Sequence, residues 1–143
     1  MSEKPKIIVL CGSSRFCDIM AVVAWLLERD EHAITMGIHL LPWWYTPLGM
    51  EPGVEWDHGA ELEGVAAAMD ELHLQKIDLA DELFVVDVGG YIGSSTHREI
   101  GYAMSRGIPV RRFTADPLGR EVEALHDTAV ITARAAAKEK DNA

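Results

Sequence analysis

Between Phe84 and Ala103 the chain reads FVVDVGGYIGSSTHREIGYA, and this stretch narrows the possible folds more than any other. An apolar run from Phe84 to Val88 leads into glycines, then into a helical pattern opening near Ser95. A short apolar run bounded by glycines suits a parallel strand covered on both faces. Gly89, Gly90 and Gly93 keep the turn free of bulk apart from Tyr91 and Ile92, so a ligand can approach its backbone closely. Ser94, Ser95 and Thr96 bring hydroxyls to the helix start, where unspent N–H groups and the helix dipole favour an anion. Glu99 is expected in the first turn, facing the same space, where such N–H groups favour the ionised carboxylate that a nucleophile needs. The spacing also has a purely structural meaning. Thr96-His97-Arg98-Glu99 is a capping box, in which Thr96 and Glu99 satisfy each other's backbone donors.

The rest of the chain repeats the strand-then-helix pattern. Residues 6–10 (KIIVL) are expected as the first strand, with CGSSR as its loop. Residues 16–29 place Ile19, Val22, Val23, Leu26 and Leu27 at helical spacing. Residues 33–40 fit a second strand, and 57–79 a helix with a stripe through Val65, Met69, Leu72 and His73. Residues 108–113 fit a fourth strand, 116–119 a turn and 120–138 a last helix, with 139–143 as a frayed tail. Such alternation implies an α/β fold: a single three-layer Rossmann- or flavodoxin-like domain over residues 1–143, its mainly parallel sheet of four to five strands joined by right-handed crossovers. Residues 41–56 differ in kind. There Trp43, Trp44 and Tyr45 sit in an irregular loop, offering flat faces to a nucleobase or cover to a sheet edge or dimer interface.

Composition removes several functions. A net charge of −10 argues against a nucleic-acid surface, which needs clustered Lys and Arg. It leaves room for a small phosphorylated ligand held by one local cation. Arg15, after a Gly-Ser turn at a strand's C-terminal end, is either that cation or a plain surface charge. No apolar leader or membrane-length segment is present, and Cys11 and Cys17 read as reduced packing residues, so a cytoplasmic protein with no membrane partner is expected. His39, His58, His73 and His97 have no metal-ligand spacing, and neither a metal nor a cofactor is expected. The loop CGSSRF lacks G-x-G-x-x-G and no acidic residue closes the second strand, which speaks against a dinucleotide-dependent dehydrogenase.

The run GSSTHREIGYA, Gly93 to Ala103, resembles the signature turn of the nucleoside 2-deoxyribosyltransferase-like superfamily, and Cys11-Gly12-Ser13-Ser14-Arg15 resembles its first loop. The likeness runs loosely from Ile7 to about Val110, and the wording of residues 70–100 is closest to a bacterial and phage branch. The resemblance implies that Glu99 attacks the sugar C1′, while Cys11, Gly12, Ser13 and Arg15 hold sugar or phosphate. In the superfamily, a helix before the signature strand supplies a second catalytic aspartate. Alignment on Ala80-Asp81 puts His73 there, with Asp70 one turn earlier and Asp78 a little over one turn later, so that group stays open among the three. Six residues before the nucleophile, transferases commonly carry aspartate and 2′-deoxynucleoside 5′-phosphate N-hydrolases serine. Here Gly93 is followed by Ser94 and Ser95, and with Arg15 these tilt the expectation toward hydrolysis of a phosphate-bearing substrate. The resemblance also implies a homodimer or larger homo-oligomer. The expected function is an N-glycosidase acting on a nucleoside 5′-monophosphate or nucleoside. The alternatives are a deoxyribosyltransferase and a non-catalytic nucleotide-binding or sensing protein.

Overall fold

The computed structural model describes residues 4–39 and 64–113. The aromatic loop with Trp43 and Trp44, the first part of the expected 57–79 helix, the 116–119 turn and the 120–138 helix lie outside the described residues. In chain order the elements are β1 (Ile7–Gly12), a 3-10 turn (Ser14–Phe16), α1 (Cys17–Glu31), β2 (Ile34–Met36), α2 (Ala66–Asp78), β3 (Glu82–Val86), a second 3-10 turn (Val88–Gly90), α3 (Ser94–Ser105) and β4 (Val110–Arg112).

The strands form one sheet in the order β2-β1-β3-β4, and every pairing is parallel. Alternate side chains of a strand point to opposite faces, and the two central strands use both. Ile8, Leu10, Phe84 and Val86 meet Ile19, Val23, Leu26 and Leu27 of α1 on one face. Val9, Cys11, Leu83 and Val85 meet Ile77 of α2 and Ile100 and Ala103 of α3 on the other. Three layers result, as in Rossmann- and flavodoxin-like domains. Burying one such aliphatic side chain contributes about 1.5–3 kcal/mol. Most of the sheet's anchorage therefore lies in β1 and β3, because the three-residue strands β2 and β4 are only half-buried or exposed.

Several boundaries differ from the sequence expectation, each for a visible reason. β2 stops at Met36 instead of running to residue 40, and the Gly37 carbonyl accepts from Lys76 Nζ at 2.7 Å rather than from β1. In the described part of the helix expected over residues 57–79, Gly64 has a φ of +75°, which does not belong to a right-handed helix, and α2 starts at Ala66. β3 runs from Glu82 to Val86, two residues earlier than expected at each end. Asp87 is consequently the first residue beyond the sheet. α3 ends in a Schellman arrangement, with Ile108 N–H donating to Ala103 O and Gly107 N–H to Met104 O.

Candidate functional site

From β1 the chain turns outward through α1 to β2, whereas β3 lies on the other flank of β1. The connections thus part between β1 and β3, and in open α/β sheets ligands bind beyond the carboxyl ends of strands at such a point. Two loops face each other there. One leaves β1 at Gly12, which sits opposite Val86 so tightly that a Cβ would lie 2.8 Å from the Val86 carbonyl oxygen. The other leaves β3 at Asp87 and passes through Gly89 and Gly90, both at positive φ with open space around them, to Gly93. Arg15 bridges the two, its guanidinium stacked 3.8 Å above the Tyr91 ring. Ser13 Oγ accepts the Arg15 backbone N–H at 3.4 Å, so this hydroxyl shapes the first loop.

The entrance to α3 overturns the capping box. The helix begins at Ser94, its N-cap is Gly93, and no side chain caps it. The first intrahelical bond runs from His97 N–H to Gly93 O, leaving the N–H groups of Ser94, Ser95 and Thr96 outside the ladder. Thr96 is third in the helix and buried, and Glu99 is sixth, in the second turn rather than the first. Glu99 therefore does not close the helix end. It points into the layer between the sheet and the α2 and α3 helices.

There it meets residues from two other elements. His73 on α2 is 1% exposed and Glu99 4%, and His73 Nε2 lies 3.6 Å from Glu99 Oε2. That is ion-pair range but beyond hydrogen-bond length, and neither ring nitrogen of His73 has a hydrogen-bond partner among the described residues. Cys11, on β1, lies where the Glu99 carboxylate acts on its thiol. Burial first, and then the Glu99 carboxylate, push the Cys11 thiol well above its ordinary value; Asp87 adds to this and Arg112 opposes it. Asp87 is 2% exposed. Its Oδ2 lies 3.4 Å from Arg112 Nη1 at the end of β4, and its Oδ1 has no partner among the described residues.

The structure thus brings Cys11, His73 and Glu99 together, while Gly12 and Arg15 lie on the first loop and Gly89, Gly90, Gly93, Ser94 and Ser95 on the second loop and the start of α3. It does not bring Asp70 or Asp78 in. Asp70 pairs with Arg98 at 3.3 Å on the surface, and Asp78 accepts the Tyr102 hydroxyl at 2.8 Å with Arg106 at 3.8 Å. Sequence reasoning missed Asp87. Its signal was a single acid inside the apolar run FVVDV, at the point where a strand ends.

A separate cavity of about 550 Å³ lies beside β2, lined by Leu10, Met20, Ala24, Met36 and His39 among others. It contains neither Glu99 nor His73, and it adjoins residue 39, where the described chain pauses. Chemistry, rather than volume, marks the cluster at the strand ends. Among the described residues no group of three His, Cys, Asp or Glu is placed to hold a metal ion, and no helix is long and apolar enough to cross a membrane. Comparison with family models, with curated proteins and with solved structures returned no match.

Proposed function

We propose that the protein is an N-glycosidase that cleaves the base–sugar bond of a nucleoside 5′-monophosphate or nucleoside through a covalent glycosyl–Glu99 ester. The observation that carries this reading is the placement of Glu99. It is relieved of any capping duty, buried beside Cys11 near the carboxyl end of β1, and flanked by His73 Nε2 at 3.6 Å. A Glu99 oxygen attacks C1′ as the C1′–N bond breaks, and the departing base takes up a proton. His73, and not Asp70 or Asp78, is the candidate for the second group that protonates the base or fixes the sugar, because the two aspartates are engaged with Arg98, Tyr102 and Arg106 at the surface. Water then attacks the ester and restores Glu99, in the two-step manner of retaining glycosidases. Arg15 and the free N–H groups of α3 suit a 5′-phosphate at the mouth. The likeness of residues 11–15 and 93–103 to nucleoside 2-deoxyribosyltransferase-like proteins supports the same assignment.

The working unit in this reading is a homodimer. Val65, Met69 and Leu72 leave an apolar stripe exposed along α2 at spacings of four and three residues. Contiguous exposed apolar surface of that kind marks contact faces. Sedimentation at micromolar concentration should show a dimer; a monomer cleaving at full rate removes this part of the proposal.

The test of the activity is incubation with a panel of ribo- and deoxyribonucleosides and their 5′-monophosphates, following free base by chromatography and the ester on Glu99 by mass spectrometry. Base release with label on Glu99 supports the reading. Binding without base release favours a nucleotide-sensing protein, for which the near-complete burial of Glu99 speaks.

A further inference from the structure

Asp87 takes no part in the chemistry above, yet it is built as though something must meet it. A carboxyl oxygen shut away from water without a hydrogen bond is costly, and buried polar atoms rarely stay unpaired. Among the described residues Asp87 Oδ1 is in that position, while Oδ2 is engaged by Arg112 at 3.4 Å. Strand parity explains where it faces. Residues 83 and 85 share one face of β3 with Cys11 of β1, and Asp87 follows in the same alternation, one residue past the strand. Glu99 and Asp87 both act on the Cys11 thiol. Beyond Asp87, Gly89 and Gly90 leave the loop clear of side chains.

We infer that Asp87 Oδ1 is the acceptor for a hydroxyl of the ligand's sugar, a binding contact at the same crevice. The inference rests on the nucleoside reading for the identity of the ligand and on the unpaired oxygen for the contact. A hydroxyl is favoured over the base because C1′ must reach Glu99, and the ring hydroxyls are the donors within one sugar's span of that carbon. The base leaves on the other side of the broken bond.

The experiment is calorimetric binding in the Glu99→Gln background, where turnover is suppressed. Deoxyribonucleoside 5′-monophosphates are compared with ribonucleotides and with 3′-deoxy and 2′,3′-dideoxy analogues. With Asp87 present, loss of the contacted hydroxyl should weaken binding about tenfold or more, as expected for a hydrogen bond to a charged group. Asp87→Ala should abolish that discrimination and leave the dideoxy analogue's affinity unchanged. Asp87→Asn, with side-chain volume kept, should reduce the discrimination, because a neutral amide replaces the charged acceptor. Melting curves confirm that each variant is folded. If both variants weaken all analogues equally, or if discrimination survives in both, Asp87 is not the acceptor, whether or not the parent protein cleaves nucleotides. Discrimination lost in the variants of a protein that binds but never releases base upholds the contact and removes only the glycosidase reading. If no member of the series binds the parent protein, both fall.

Discussion

Replacing Glu99 by Gln separates a catalytic carboxylate from a structural one, and the structure allows both effects to be sized. No capping bond is lost, because α3 is capped by no side chain. Gln keeps one oxygen and can turn its NH2 toward His73 Nε2, now 3.6 Å from Oε2. No hydrogen bond of His73 is lost, because neither ring nitrogen has one among the described residues, so the expected change in stability is within about 1 kcal/mol. For a chain of this size that moves the melting midpoint by about 3–5 °C at most. Glu99→Ala is different. It leaves the Cys11 thiol and His73 facing a void and should cost about 2–4 kcal/mol. Activity should follow the opposite logic, since an amide cannot form the ester. Base release should fall about 10³-fold or more in the Gln variant despite its intact fold. Urea titration and a chromatographic assay on the same preparations measure the two quantities. Near-parental turnover in the Gln variant would refute the nucleophile assignment. A Gln variant as unstable as the Ala variant would show that the carboxylate serves the fold.

Three further outcomes are expected. Gly12→Ala should destabilise the protein by about 1–3 kcal/mol, because its Cβ would meet the backbone oxygen of Val86 at 2.8 Å; an unchanged urea midpoint would mean that β1 and β3 part easily there. The Cys11 thiol, ordinarily at 9.0 and raised in the folded state by burial and Glu99, holds its proton longer than in the unfolded chain. Its contribution is full below about pH 9 and is lost as pH rises from there toward the folded value, so Cys11→Ala should flatten the alkaline fall in stability, and equal slopes would count against it. Arg15→Ala should weaken monophosphates about tenfold or more relative to the matching nucleosides, as for loss of one charged hydrogen bond; equal losses on both would confine Arg15 to its stacking on Tyr91.

The parallel α/β architecture was legible because its signals are local. Short apolar runs at residues 6–10 and 84–88 and three-to-four-residue spacing in α1 depend only on near neighbours. So did the pairing of a glycine-rich turn with a helix start after β3. The ends of elements were less legible, because distant groups compete for them. Lys76, from α2, takes the Gly37 carbonyl and cuts β2 short. The capping box failed for a related reason: Thr96 and Glu99 have the right spacing to cap a helix, but once α3 begins at Ser94 both side chains are drawn into the core. Spacing along the chain cannot tell which of two faces a side chain will find.

The membership of the site was a tertiary decision throughout. Residues 11, 73, 87 and 99 come from β1, α2, the end of β3 and α3, and only the crossovers that fix the order β2-β1-β3-β4 place them on one side of one sheet. Asp70, His73 and Asp78 were equivalent along the helix as far as sequence could say. Packing α2 on the sheet buries His73 against Glu99 and leaves the two aspartates at the water-facing edge, where Arg98, Tyr102 and Arg106 engage them. Asp87 looked like an interruption in an apolar strand. Moving the end of β3 back to Val86 makes it the first side chain beyond the sheet, buried by its neighbours yet left with one oxygen unpaired, a property that arises only when the layers close around it.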